Sequence, residues 1–286
     1  MESLDKHVRG PTQGHTHTCT VIFLHGRDSE AKQFADELFE SEASVGLAAA
    51  ANCHDRTLPG MLGTVRWVFP AAPLLHSQRF GESLSQWFDM WSVEEPEMKS
   101  ELQRDDLVHS IQRVLAVIEE EEKLVPRNKI FLCGISQGFA TAIGQTYVRL
   151  QRKSSPAISL LLAEGQGGFA GLIGLCSWLP FSSQIEAKMT EHPPNASIFT
   201  CLQTLYRSEE NQSILDAVPN KIRATPVLLG HAADDAVVPM ENARRMNQIL
   251  SALGLNVEWH EYGDGGHWIN EPQGVDDIVS FIQANV

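Results

Sequence analysis

Ser136 stands in Gly134-Ile135-Ser136-Gln137-Gly138, directly after the apolar run Ile130-Phe131-Leu132-Cys133 and before a helix-capable run from Phe139 to Ile143. A serine flanked by glycines at a strand-to-helix junction meets the requirement of a nucleophile elbow, because side chains at the flanks would collide with the neighbouring strand and helix. A helix starting at this point also aims backbone N–H groups at negative charge developing beside the hydroxyl. The hydroxyl itself is a weak nucleophile until a base takes its proton, and that base needs a carboxylate to fix its tautomer.

Such an elbow is followed along the chain by the acid and then the histidine. Asp234 and Asp235 are the acids in the right setting, in His231-Ala232-Ala233-Asp234-Asp235-Ala236-Val237-Val238-Pro239 after the run Pro226 to Gly230. Two histidines come later. His260 lies inside the alternating run Val257 to Tyr262 and reads as a strand-face residue. His267 sits in Gly263-Asp264-Gly265-Gly266-His267-Trp268, where glycines let the backbone bend and present the ring, so His267 is the expected base. The chemistry these residues could perform is acyl transfer through an acyl-serine. Elsewhere, His15 and His17 form an H-x-H that reads as alternation at a strand start, and the ring of His25 is expected to brace its adjacent loop. Trp87, Phe88 and Trp91 read first as core and second as the lining of a pocket.

The elements that must position these groups follow from short apolar runs alternating with helical stretches, the pattern of an α/β fold with a mostly parallel central sheet and helices on both faces. Strands are expected at Cys19 to Leu24, Val65 to Phe69, Lys129 to Cys133, Leu172 to Cys176, Pro226 to Gly230 and Val257 to Tyr262. Leu107, Ile111, Val114, Leu115 and Ile118 mark one face of a helix that stops by Val125, ahead of Pro126. Further helices are expected at Gly138 to Arg152, Met240 to Leu253 and Gln273 to Asn285. Three stretches fit the alternation poorly: Ser41 to Leu62, Ala163 to Gly168 and Phe181 to Ala224. The reading is an N-terminal extension over residues 1–18 and a single domain over 19–286, with a cap or lid insertion at about 181–224. Ile198, Leu202, Leu205, Ile214 and Leu215 supply that insertion with an apolar side, directed either at an acyl chain or at the outside of the sheet.

The chain has 286 residues, 43% of them hydrophobic, which suffices for a substantial core. With 36 acidic and 22 basic residues its net charge is −14, a field that repels nucleic acid and anionic lipid. No apolar run approaches the roughly 18 residues of a spanning helix, and the N-terminus has no apolar leader core, so a soluble cytoplasmic protein is expected. Five cysteines without a C-x-x-C pair point to reduced core residues, not to disulfides or a zinc site.

Along most of its length, from about Val21 to Ile282, the chain resembles the acyl-protein thioesterase and small carboxylesterase family of α/β-hydrolases. The resemblance rests on VIFLHG at Val21 to Gly26, FPAAP at Phe69 to Pro73, WFD at Trp87 to Asp89, GISQG at Gly134 to Gly138, SWLP at Ser177 to Pro180, HAADDAVVP at His231 to Pro239 and GGHW at Gly265 to Trp268. It implies Ser136 as nucleophile, His267 as base and, of the two acids, Asp235, four residues before Pro239. It implies an oxyanion hole from the backbone N–H groups of Gln137 and Arg27, and substrate contacts from Trp87, Trp178 and Leu179, with no metal or organic cofactor.

Departures from the family pattern are informative. The family usually reads HGLGD after its first strand, whereas this chain has His25-Gly26-Arg27-Asp28-Ser29, which places a charged side chain at the pocket mouth. The usual SCWLP is Cys176-Ser177-Trp178-Leu179-Pro180 here, with the small pair exchanged. The HGR start, RWVFPAAP and QWFDMWS look most like a filamentous-fungal branch, some members of which are similar to hydrolases found beside polyketide pathways.

The expected partners are a small-molecule acyl ester or thioester, free or carrier-bound, and a second copy of the chain in a homodimer; nucleic acid and integral membrane contact are not expected. Two alternatives to simple hydrolysis stay open: an acyltransferase or lactone-forming enzyme in which a substrate hydroxyl replaces water, and a non-catalytic ligand-binding protein that keeps the fold.

Overall fold

The computed structural model describes residues 5–143, 168–191 and 223–286. In chain order the elements are β1 (Lys6–Arg9), β2 (Cys19–Leu24), α1 (Ala31–Leu38), α2 (Val45–Ala50), α3 (Leu58–Met61), β3 (Val65–Pro70), β4 (Leu74–His76), β5 (Ser83–Ser85), α4 (Arg104–Glu121), β6 (Ile130–Ile135), α5 (Gln137–Ile143), β7 (Gly171–Leu175) and α6 (Ser182–Glu191). They end with β8 (Val227–Ala232), α7 (Met240–Ala252), β9 (Val257–Tyr262) and α8 (Gln273–Ala284).

Seven strands form one sheet in the order β1-β3-β2-β6-β7-β8-β9. Every neighbouring pair is parallel except β1 with β3. Strands β2, β6, β7 and β8 are buried at every residue, as strands covered on both faces must be, and apart from Thr20 and His231 their composition is correspondingly apolar. The two-residue period splits each strand between two cores. Ile22, Leu24, Leu132, Leu172 and Leu229 face one cluster, which α4, α5 and α7 cover with Ile111, Val114, Phe139, Ile249 and Leu250. Val21, Phe23, Phe131, Ile173 and Leu228 face the other, covered by Phe34 and Leu38 of α1 and by Val275, Ile278 and Phe281 of α8. The expected class, a mostly parallel sheet with helices on both faces, is the observed one.

All six expected strands form. Helix α4 runs from Arg104 to Glu121 and buries Leu107, Ile111, Val114 and Ile118, while two acidic residues in its first turn complement the helix dipole. Four features differ from the sequence reading. Lys6–Arg9, left in the extension, add an antiparallel edge strand with only Val8 as an apolar residue. His15 and His17 precede β2 instead of alternating within it. Ser41 to Leu62 contains two short helices, α2 and α3, capped by Ser44 and Thr57 through hydrogen bonds to Leu47 N and Gly60 N. Leu74 to Ser85 forms a separate hairpin of β4 and β5.

Of the stretch 181–224, expected to be an insertion, the described part is chiefly α6, seated beside α7 by Ile185 and by Arg245, which donates to Glu186. The apolar positions Ile198 to Leu215 lie outside the described residues, as do residues 144–152 of the helix expected from Gly138 and residues 163–167. Among the described residues no helix is long and apolar enough to cross a membrane.

One charged pair is built into the sheet's lower edge. Glu121, 1% exposed, accepts from Arg66 Nε at 2.8 Å and Nη2 at 3.2 Å, and from Thr20 Oγ1 at 3.3 Å. Removing one member of such a pair strands a buried charge, whereas removing both does not. Arg66→Met should therefore lose about 3 kcal/mol in urea denaturation, and Arg66→Met with Glu121→Leu should recover most of that loss. A double variant as unstable as the single one would contradict this view of the pair.

Candidate active site

Parallel strands deliver their following loops to the same edge of a sheet, and here the carboxyl ends of β2, β6, β7, β8 and β9 converge. Ser136 directly follows β6 and has the left-handed backbone angle φ 55°, a strained value for a residue with a side chain. Its N–H donates to Leu175 O at 2.9 Å, and its carbonyl accepts from Ser177 Oγ at 2.7 Å. The flanking glycines are required by space. A Cβ on Gly134 would lie 2.4 Å from Phe139 N, and one on Gly138 would lie 2.3 Å from Leu24 O and 2.5 Å from His25 O. The first turn of α5 is thus pressed against the end of β2.

That contact holds the residues after β2 beside Ser136. His25 is fully buried, with Nδ1 against Gly26 O at 2.8 Å and Nε2 accepting from Ala72 N at 3.1 Å. Burial depresses its pKa, so the ring is a neutral strut with both nitrogens occupied. Gln137 is equally buried: its Oε1 accepts from Trp87 N and its Nε2 donates to Phe88 O, both at 2.8 Å. Trp87 Nε1 in turn donates to His25 O at 2.8 Å.

The expected substrate contacts of Trp87, Trp178 and Leu179 are replaced by packing. Their exposures are 0%, 1% and 2%, all three belong to the core cluster under α4 and α5, and a residue type alone does not tell the core side of a loop from its open side. The cleft in front of Ser136 is lined instead by Arg27, Asp28, Phe34, Val93, Val237, His267 and Trp268, and has a volume of about 320 Å³.

Ser136 and His267 line this same cleft. The ring is presented by Gly265 and Gly266, with φ of 127° and 60°, angles that favour glycine. His267 Nδ1 lies 2.8 Å from Asp235 Oδ2, whose side chain is wholly shielded from solvent. The other oxygen, Oδ1, accepts from Val237 N at 2.8 Å and Val238 N at 2.9 Å. Burial alone would raise the Asp235 pKa, but hydrogen bonds from His231, His267 and the Val238 N–H outweigh it and hold the carboxyl well below the usual carboxylate range. The geometry also separates the two acids: Asp234 Oδ1 accepts from Gly266 N at 2.8 Å and so anchors the histidine loop, not the ring. His260 pairs with Glu258 of β9 and Asp277 of α8, as a strand-face residue.

His231 precedes both acids, outside the chain order that points to His267. It is buried, with Nε2 3.2 Å from Asp235 Oδ2 and 2.9 Å from Val238 O, and its position four residues before Asp235 in the same motif is the signal that marks it. Cys176, at φ 48°, brings its Sγ within 4.8 Å of the ligand-type atoms of Asp235 and His267. That set has metal-binding residue types. Burial first, and then the Asp235 charge, push the thiol far above its ordinary pKa, and His267 and Asp235 already satisfy each other, so the residues are poorly suited to hold an ion.

Comparisons with known proteins bear on the family and the fold. The sequence profile of the phospholipase/carboxylesterase family matches residues 8–205 and 185–286. Acyl-protein thioesterase 1 of Yarrowia lipolytica is 25% identical over 283 residues, covering 98% of this chain and 96% of the relative. Carboxylesterase SOBER1 of Arabidopsis thaliana is 26% identical over 219 residues, 74% of either chain. The crystal structure of acyl-protein thioesterase 2 from Zea mays shares the fold with a TM-score of 0.61 and 22% identity, covering 99% of both chains.

The seat of α5 on β2 leads to a direct test. Gly138→Ala should cost about 2 to 3 kcal/mol in chemical denaturation, because backbone atoms of Leu24 and His25 must retreat. Gly10→Ala, with nothing within 4 Å of the new methyl group, should change stability by less than about 0.5 kcal/mol. Equal effects at the two positions would show that the close approach does not constrain the fold.

Proposed function

The chain belongs to the phospholipase/carboxylesterase family, whose named relatives are carboxylesterases and acyl-protein thioesterases, and from that membership we propose that it is a serine hydrolase working through a Ser136–His267–Asp235 triad and an acyl-enzyme. The observation that carries the reading is the 2.8 Å contact of His267 with the buried Asp235 carboxylate in the cleft that also exposes Ser136.

In this mechanism the Ser136 hydroxyl attacks the acyl carbon of an ester or thioester while His267 takes the hydroxyl proton. Asp235 keeps the proton on His267 Nδ1, leaving Nε2 as the base, and stabilises the cation that forms. The tetrahedral oxyanion is met by the backbone N–H groups of Gln137, at the start of α5, and of Arg27. Each is worth roughly 3 kcal/mol, judged by deletions of single oxyanion donors. Collapse expels the alcohol or thiol, which receives the proton from His267. Water activated by the same histidine then cleaves acyl-Ser136, releasing the carboxylic acid and restoring the serine. His231 and the N–H groups of Val237 and Val238 hold Asp235 ionised and oriented, a positioning role.

Turnover of a panel of p-nitrophenyl acyl esters tests the assignment. Ser136→Ala should lower kcat by at least roughly a thousandfold. Asp235→Asn should cost roughly a thousandfold or more, because an amide cannot accept from two backbone N–H groups on one side and from His267 on the other. Asp234→Asn keeps an oxygen for Gly266 N and should cost less than about tenfold. Undiminished hydrolysis by Ser136→Ala, or equal losses at the two acids, would overturn the assignment.

A further inference from the structure

Arg27 lines the cleft that holds Ser136 and His267, and its side chain is unsettled in a way the backbone role of this residue does not explain. Its Nη1 is shielded from solvent and, among the described residues, has no hydrogen-bond partner. The guanidinium carbon lies 5.5 Å from the centre of the Phe80 ring, and that of Arg79 lies 5.4 Å from the centre of the same ring. Two cations therefore share one aromatic ring. Arg79 Nη1 donates to Trp91 O at 2.6 Å, but among the described residues neither arginine forms an ion pair with a carboxylate. Asp28, Asp89 and Glu94 attract Arg27 only from longer range. Burial first, and then the charge of Arg79, lower the Arg27 pKa.

A partly buried guanidinium with an unmet donor, next to a like charge, is costly unless a further partner completes it. Of the chain's 36 acidic residues, Asp28, Asp89 and Glu94 act on Arg27, but among the described residues none forms an ion pair with it. Arg27 is also a lining residue of the cleft, which can bring an anion to the guanidinium. Guanidinium donors are suited to carboxylate and phosphate oxygens, with two parallel N–H bonds available from one fork.

We propose that Arg27, backed by Arg79 and Phe80, is an anion subsite of the cleft, and that the substrate carries a carboxylate or phosphate group close to the scissile acyl bond. The inference rests on the hydrolase reading of this cleft and adds a substrate class to it. The subsite works against the long-range field of the molecule, whose net charge is −14, so an anionic substrate is favoured only by local contacts. The anion belongs either to the far end of the acyl chain or to the leaving group, and the two sources are separable.

The test compares two substrate pairs: 1-naphthyl hydrogen glutarate against 1-naphthyl pentanoate, and an acyl thioester of 4′-phosphopantetheine against the same acyl thioester of pantetheine. In the wild type, kcat/KM for the anionic member of at least one pair should exceed that of its neutral counterpart by roughly tenfold to a hundredfold, the worth of a hydrogen bond to a charged group. The difference should reside mainly in KM and should shrink as ionic strength rises. A preference confined to the first pair places the anion on the acyl chain, and one confined to the second places it on the leaving group. Arg27→Gln should bring the ratio close to one and Arg27→Lys should keep part of it, and a ratio cancels any change the substitution causes in the shared acyl-transfer step. If Arg27→Gln fails to fold, the wild-type ratio and its salt dependence still decide. Ratios near one for both pairs, with neutral substrates hydrolysed, would overturn the anion subsite and leave the hydrolase standing. Failure to hydrolyse any of the four would remove both.

Discussion

The contact on which the rest of the site depends is the approach of α5 to the end of β2, where Gly138 leaves no room for even a methyl group against Leu24 O and His25 O. It sets the turn that forces Ser136 to φ 55°, and it brings the Gly26–Arg27 backbone alongside the serine. The same contact is secured from the other side. Gln137 spans Trp87 and Phe88 with its amide, Trp87 reaches His25 O, and the His25 ring ties Gly26 to Ala72. Strain at one residue is thus held by a closed set of buried hydrogen bonds, each satisfied on both sides.

The second half of the site is organised by a carboxylate that is buried and ionised. Two backbone N–H groups on one oxygen and two imidazoles on the other compensate Asp235, and its pKa falls although burial works in the opposite direction. The neighbouring Asp234 acts on the loop and not on the ring, through Gly266 N. Adjacent acids in one motif therefore divide the work of orienting His267 between its backbone and its side chain. Arg27 contrasts with this economy: it is the cleft residue whose charged side chain has an unmet donor.

The strands of the sheet were legible because burial on both faces makes their runs almost wholly apolar, as in Cys19–Leu24 and Ile130–Ile135. The turn at Ser136 was legible because Gly134 and Gly138 leave room for close packing, and the loop of His267 because Gly265 and Gly266 take backbone angles that favour glycine. The edge strand β1 was hidden, since Lys6-His7-Val8-Arg9 has a single apolar residue, and an edge needs few. The resemblance implies substrate contacts from Trp87, Trp178 and Leu179, but aromatic and apolar side chains suit a pocket and a core equally, and which one they reach is decided by tertiary packing, here the cluster shared with α4 and α5. His231 escaped because chain order was used to find a base, whereas its place beside Asp235 arises from the turn after β8. Of the stretch 181–224, read from the sequence as a cap, the described residues show chiefly α6, which packs on α7 through Glu186 and Arg245.

The central claim is that Ser136 is the residue whose hydroxyl is activated. Incubation with a fluorophosphonate, followed by intact-mass measurement and peptide mapping, tests it without any assumption about the natural acyl group. One covalent adduct per chain, located on Ser136 and forming much more slowly in His267→Ala, is the predicted result. An adduct on a different residue, or no adduct on the folded protein, would contradict the account.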